Sequence, residues 1–282
     1  MADSVAGTAA TGHAAADDVV GVVLAAGEGR RLRPLTDLRP KPLCPVGNVA
    51  LLDLALDRVE AVTPAVAVNL HHGRAEVEAH LDGRAGPVHR SIEEPEALGT
   101  AGALGLLRPW IDGRAALVVN ADAWTDARLG AFVDGWDGER VRLLVTPGSD
   151  GRPGFGPRVG LVASLMPWAM VAALRPEPSG LYETMWLEAD RAGRLETVAH
   201  PGRFVDCGTP ADYLRANLGA VEVAGGSIVA TGAVVAATAS IVDSVVGEGA
   251  HVAGAVVRSV VWAGAVVAVG ETLTDGVRTP VG

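Results

Sequence analysis

The residues best suited to chemistry lie in one stretch, Gly27-Glu28-Gly29-Arg30-Arg31-Leu32-Arg33-Pro34-Leu35-Thr36, followed by Pro40-Lys41-Pro42-Leu43. A Gly-x-Gly turn leaves backbone N–H groups free to approach anionic oxygens without side-chain obstruction. From Glu28 to Lys41, five cations (Arg30, Arg31, Arg33, Arg39 and Lys41) face only two acids, Glu28 and Asp37, in a chain of formal net charge -10. A local positive loop in an acidic protein is where a polyphosphate would be held. The stretch is not the dinucleotide fingerprint, because Leu32 takes the third glycine position, and no Gly-Lys-Ser/Thr makes it a Walker loop. Lys41 is the single lysine among 23 basic residues. In a chain that uses arginine everywhere else, a surviving lysine marks a place where a compact ammonium fits and a planar fork does not. Arg30, Arg33 and Arg39 read as ordinary surface cations.

The elements that must position this loop follow from hydrophobic periodicity. Val19 to Ala26 is a short apolar run ending at Gly27, as a buried parallel strand does. Leu51 to Val62 places apolar residues on one helical face with Asp53, Asp57, Arg58 and Glu60 between them. Strand-like runs at 65–70, 88–92 and 115–119 alternate with helical patterns at 75–81 and 100–107. This alternation predicts a doubly wound α/β sheet, which binds ligands at the carboxyl ends of its strands. Gly27 and Asp122 both stand at such ends. After about residue 222 the texture changes to small residues and valine, with branched apolar positions roughly every six residues, as at Ile228, Val234, Val246 and Val252. That period predicts a parallel β-helix of two to three coils, although Ser240 and Arg258 fall on apolar positions. The expected organisation is a disordered tail over 1–17, an α/β domain over 18–222 and the repeat over 223–282.

Composition closes off several classes. At 282 residues and 49% hydrophobic, the chain is globular, and 4% aromatics leave a core of Ala, Val and Leu. The negative balance argues against nucleic-acid binding, which requires a basic surface. Two cysteines, Cys44 and Cys207, cannot make a disulfide framework and read as small buried apolar residues, so a cytoplasmic location is expected. No apolar run reaches the ~18 residues of a membrane span, and residues 1–18 lack the basic start of a secretory signal. The seven histidines show no metal-binding spacing.

The run L-A-A-G-E-G-R-R-L-R-P-L-T-D-L-R-P-K-P-L-C-P-V resembles the signature of the nucleotidylyltransferases that make nucleoside-diphosphate sugars from an NTP and a sugar 1-phosphate. Three later segments match the same family in order: E-E-P-E-A-L-G-T-A-G-A-L from Glu93, V-V-N-A-D ending at Asp122, and F-V-D-C-G-T-P-A-D-Y-L-R-A-N from Phe204. The mannose-1-phosphate guanylyltransferase-like group is the nearest in flavour. The resemblance implies a Rossmann-like nucleotidyltransferase fold with a mixed, mostly parallel sheet, followed by a short left-handed parallel β-helix of hexapeptide repeats. It also implies roles. Ala26, Gly27 and Gly29 would line the nucleotide phosphates, Arg31 would hold the leaving pyrophosphate, and Lys41 would contact the α-phosphate or the sugar phosphate. Glu94, Gly99 and Thr100 would border base and ribose, with Glu93 and Glu96 competing for the place of Glu94. Asp122 and Asp206 would bind Mg²⁺, and Glu183 and Arg158 are weaker sugar-site candidates. The two metal-site carboxylates are 84 positions apart, so only the fold can unite them.

Two departures from the family pattern matter. A Glu-Lys-Pro element whose lysine grips the sugar phosphate has no counterpart, since Thr146 to Val159 contains no lysine, and the glycine usual before the metal-site aspartate is Ala121. The expected partners are an NTP (GTP first) and a sugar 1-phosphate (mannose 1-phosphate first), with self-association through the C-terminal repeat. A non-catalytic sugar-nucleotide-binding subunit is the alternative. Cytidylyl- and guanylyltransferases acting on non-sugar cofactors share the start but lack the Pro-Lys-Pro element.

Overall fold

The computed structural model describes residues 18–148 and 150–281, so the expected 1–17 tail lies outside the described residues. Seven strands form the central sheet: β1 (Val19–Leu24), β2 (Val66–Leu70), β3 (Val88–Ile92), β4 (Ala115–Asn120), β5 (Val141–Val145), β6 (Leu161–Met166) and β7 (Leu195–Ala199). Their order is β7-β5-β6-β4-β1-β2-β3. All pairings are parallel except those of β6, which runs antiparallel to both β4 and β5, so the sheet is mixed and mostly parallel as expected. The four helices of nine residues or more among the described residues are α1 (Leu51–Glu60), α2 (Arg74–Asp82), α3 (Gly99–Ile111) and α4 (Pro210–Ala224).

β1 shows why such a strand reads as a continuous apolar run. Val19 and Val23 face a core filled by Leu52, Leu56, Val77 and Leu81 from α1 and α2. Val20 and Val22 face the opposite core, filled by Leu104, Leu107 and Ile111 of α3. Both faces of the strand are therefore covered, and alternation disappears. α3 approaches its neighbour so closely that a Cβ on Gly105 would sit 2.2 Å from the Arg175 backbone.

The C-terminal region forms three parallel ladders. One stacks Ile228–Val229, Val245–Val246, Val260–Val261 and Val277–Arg278, and the other two stack three short strands each. Along the first ladder the repeat is 17, 15 and 17 residues, not a uniform 18. This corrects the sequence reading of the period. Val246 and Val252 do point into the coil core, but their register partners in the first coil are Val229 and Val235. Ile228 packs outward against the α/β part, and Val234 is 54% exposed. Because the shortened corners shift the phase, Ser240 is an exposed ladder position. Arg258 is a corner residue at φ 48°, paired with Asp275 at 2.8 Å. The corners stack serines, with the Ser259 N–H donating to Ser244 Oγ and the Gly276 N–H to Ser259 Oγ.

A third core joins the ladder face to the motif loop. Val245, Val260 and Trp262 pack with Leu32, Leu35, Cys44, Val46 and Leu51, and with Tyr213 and Ala216 of α4. Among the described residues no helix is long and apolar enough to cross a membrane.

Gly105→Ala forces a methyl group into backbone and should destabilise the fold by about 1–3 kcal/mol in urea unfolding. Gly130→Ala, where nothing lies within 4 Å of the added carbon, should change stability by less than about 0.5 kcal/mol.

Candidate active site

The motif residues meet at the carboxyl end of β1 and β4, around a cavity of about 480 Å³. Its lining includes Ala26, Gly27, Gly29, Arg31, Lys41, Gly99, Thr100 and Asp122, together with Asn69 and Gly208. Gly29 sits in the left-handed region at φ 69°, and a Cβ there would lie 2.9 Å from the Lys41 Cβ. The glycine is thus required twice, for the turn and for the close passage of the lysine. Gly27 has open space where its side chain would be, toward the cavity.

Lys41 begins a 3-10 turn, Lys41–Leu43, closed by the Cys44 N–H donating to the Lys41 carbonyl at 3.0 Å. The residue is only 6% exposed. Its ammonium donates to Asp122 Oδ2 at 2.8 Å and to Asp206 Oδ1 at 3.4 Å. Burial pulls the lysine pKa down, but the two carboxylates outweigh it and hold it above its ordinary value, so the group stays charged. The carboxylates themselves are wetter, their side chains 41% and 53% exposed.

Residues 84 positions apart meet because the short strands Ala123–Thr125 and Phe204–Asp206 pair antiparallel, with Asp206 opposite Ala123. The Cys207 N–H then donates to the Asp122 carbonyl at 3.0 Å. Ala121, where the family pattern has glycine, is fully buried and its methyl is absorbed by the first core. Cys44 and Cys207 are buried and free, and burial pushes both thiols up to about 12, so neither is a nucleophile.

The remaining expected residues divide. Arg31 lines the cavity with its guanidinium 3.9 Å from Asp206. Thr100 Oγ1 accepts the Leu181 N–H at 2.8 Å. Glu94 does not line the cavity; it is exposed and pairs with Arg74 at 2.7 Å. The buried acid is its neighbour Glu93, which accepts from the Leu98 N–H at 2.6 Å and from Asn69 Nδ2 at 2.7 Å. Asn69 Oδ1 in turn accepts the Ala25 N–H at 2.7 Å. The Ala25–Asn69–Glu93–Leu98 chain therefore ties the glycine loop to the start of α3, two walls of one cavity. Sequence reasoning missed Asn69, although an asparagine ending an apolar strand is an available signal, and it held Glu93 only as a rival of Glu94. Arg30 and Arg33 are exposed and pair with Glu28 and Asp37. Arg39 is not an ordinary surface cation: it is half-buried with its guanidinium 4.5 Å from the centre of the Trp262 ring.

A second cavity of about 180 Å³ shares Leu24, Thr100 and Asn120 with the first, and a third of about 270 Å³ continues it past Leu161, Tyr182, Glu183 and Trp186. Tyr182–Trp186 is a π-helical turn, which carries three of these side chains. Ser164 Oγ and Trp186 Nε1, both on the second cavity's lining, are buried without a hydrogen-bond partner. Arg158 stands exposed on the 154–159 loop and is not among the lining residues.

Comparison with known proteins agrees with this geometry. The pattern of the family described as nucleotidyl transferase matches residues 20–149. The chain is 38% identical over 136 residues to an N-acetylmuramate alpha-1-phosphate uridylyltransferase of Caulobacter vibrioides, covering 45% of this chain and 56% of that protein. A mannose-1-phosphate guanylyltransferase of Mycobacterium tuberculosis is 33% identical over 123 residues, 43% of this chain and 34% of that one. The match to a probable mannose-1-phosphate guanylyltransferase 3 of Oryza sativa is longer, 81% of this chain and 73% of the relative at 24% identity. The chain thus matches about half the length of the uridylyltransferase relatives. The same fold occurs in a putative glucose-1-phosphate thymidylyltransferase from Bacillus anthracis, at TM-score 0.58 and 19% identity over 71% of this chain and 94% of that one. The motif residues within the 20–149 match gather around one cavity.

Glu93→Ala should cost about 1–3 kcal/mol in denaturant unfolding, because it strands the buried Leu98 N–H and the Asn69 amide. Glu94→Ala, on the exposed neighbour, should cost less than about 0.5 kcal/mol.

Proposed function

We propose that this chain joins an NTP to a sugar 1-phosphate, giving an NDP-sugar and pyrophosphate. The observation that carries the reading is the sole lysine, buried between Asp122 and Asp206 on the lining of a cavity made by the glycine loop. An oxygen of the sugar phosphate forms a bond to the α-phosphorus, and the bond from that phosphorus to the bridging oxygen of pyrophosphate breaks. Such a transfer needs alignment and charge neutralisation rather than a covalent enzyme intermediate. Backbone N–H groups at Gly27 and Gly29 receive the phosphates, Arg31 holds the departing pyrophosphate, and the Lys41 ammonium faces the α-phosphate.

The donor set at Asp122 and Asp206 fits Mg²⁺. Two partly exposed carboxylates already hold a cation, the lysine ammonium, and magnesium is commonly held by one or two carboxylates plus substrate phosphates. No group of three or more His, Cys, Asp or Glu side chains suited to a metal occurs among the described residues, so phosphates must complete the shell. Bound there, the ion would neutralise charge developing on the transferred phosphoryl group.

The second and third cavities are where we place the sugar. Ser164 Oγ and Trp186 Nε1 offer unused hydrogen bonds, and Glu183 can accept from a hydroxyl. Among the described residues this lining holds one carboxylate and no cation, which favours a sugar without an acidic substituent. Mannose 1-phosphate with GTP is therefore the first pair, ahead of N-acetylmuramate 1-phosphate with UTP. With no lysine in the lining, the sugar phosphate depends on Lys41 and the metal for neutralisation. The reading includes self-association through the β-helix, whose outer face exposes Val234 and Val266.

Purified protein should release pyrophosphate only when NTP, sugar 1-phosphate and Mg²⁺ are all present, with mannose 1-phosphate preferred to N-acetylmuramate 1-phosphate. Binding of an NDP-sugar without turnover on any NTP and sugar 1-phosphate pair would favour the non-catalytic reading instead.

Asp122→Asn, Asp206→Asn and Lys41→Arg should each lower kcat about 100- to 1,000-fold, the scale of losing one preorganised charge contact in a transition state. Arg30→Lys, at an exposed cation paired with Glu28, should change kcat less than about twofold in the same steady-state assay.

A further inference from the structure

The segment carrying Lys41 is held from behind by the β-helix, and one side chain is linked to both of its flanks, to one directly and to the other through Tyr213. Trp262 follows the third strand of the first ladder and is 1% exposed in the core between the two parts of the chain. Arg39, two residues before Lys41, lays its guanidinium over the indole face at 4.5 Å. The indole Nε1 donates to Tyr213 Oη at 2.9 Å, and Tyr213 Oη donates to the carbonyl of Pro45, four residues after Lys41. Tyr213 and Trp262 meet edge to face at 6.2 Å, so the phenol cannot tilt away without disturbing the indole. Just beyond, the Gly47 N–H donates to Asn217 Oδ1 at 3.0 Å, and Asn48 Nδ2 donates to the Val246 carbonyl of the β-helix at 2.9 Å.

We propose that Trp262 is a positioning residue: through Arg39 on one side and Tyr213–Pro45 on the other, the β-helix sets where the Lys41 ammonium stands. This rests on the reading of Lys41 as the phosphate-site cation. The geometry has a physical reason. A 3-10 turn bracketed by Pro40 and Pro42 has few hydrogen bonds of its own, so its placement must be imposed by packing. A cation–π contact and a buried N–H···O–H···O=C chain are both directional, so they define position as well as cohesion.

The test compares Trp262→Leu, Trp262→Phe and Val245→Ala in the full chain. Leucine loses both contacts, phenylalanine keeps an aromatic face for Arg39, and Val245→Ala removes packing from the same core while leaving both Trp262 contacts in place. Trp262→Leu should lower kcat about ten- to a hundredfold with less than about a threefold change in the KM for NTP, since displacing a catalytic group by about an ångström acts on the transition state. Deuterium uptake over residues 35–46 should rise in the same variant. Trp262→Phe should recover part of both losses. Val245→Ala should lower the melting temperature while leaving kcat and that uptake at wild-type values.

Wild-type kcat and uptake in Trp262→Leu would overturn the proposal. So would a Val245→Ala variant that reproduces the kcat loss and the uptake, which would make Trp262 ordinary packing. A wild-type protein without transfer activity would sink the transfer reading alone, because exchange over 35–46 still decides whether Trp262 holds the segment.

Discussion

A buried ammonium between two half-wet carboxylates is the constraint on which the rest of this molecule depends. An isolated lysine with its side chain this deep would favour its neutral form, since desolvation penalises charge. Asp122 and Asp206 reverse that, and the lysine is held above its ordinary pKa. Because the carboxylates keep about half their surface exposed, they retain water and lone pairs that a wholly buried pair would have lost. The arrangement therefore keeps a fixed positive charge in place while leaving oxygens available to a second cation.

Much of the surrounding architecture serves to bring those three groups together. Asp122 follows the central strand β4, which leaves little freedom in where it emerges. Asp206 reaches it through a two-stranded ribbon whose register places it opposite Ala123. Lys41 comes from a loop with almost no regular structure, and it passes so near Gly29 that no side chain fits between them. The loop is backed by the third core, where α4, the glycine-loop residues Leu32 and Leu35, and the β-helix share one apolar cluster. A β-helix docked in this way does more than extend the chain. Its inner face closes the floor beneath the cationic loop, and its outer ladder remains exposed.

The walls of the cavity are tied by a different device. Asn69 and Glu93 connect the glycine loop to the start of α3 through buried hydrogen bonds. A fully satisfied buried polar chain is directional and stiff in a way apolar packing is not. By contrast, the adjoining cavities around Trp186 contain polar atoms left without partners. That contrast between satisfied supports and unsatisfied lining separates groups that hold the site from groups free to meet a ligand.

The alternation of apolar strands and helices, the glycine loop, Lys41 and Asp122 were all legible in the sequence, because each depends on local pattern: a run of valines, a turn that needs glycine, a single residue type out of place. The nearness of Asp206 to Asp122 could be inferred only from family resemblance, since strand pairing across 84 residues leaves no local trace. Tertiary structure alone decided between Glu93 and Glu94. Adjacent residues on an extended segment point opposite ways, and no composition says which faces inward. It also decided the phase of the β-helix, where corners of unequal length pair Val229 and Val235, rather than Ile228 and Val234, with the core residues Val246 and Val252. Arg39 shows the same limit. Its sequence neighbours are charged and proline-rich, so it reads as solvated, yet its partner is an indole more than two hundred residues away that only folding brings over it.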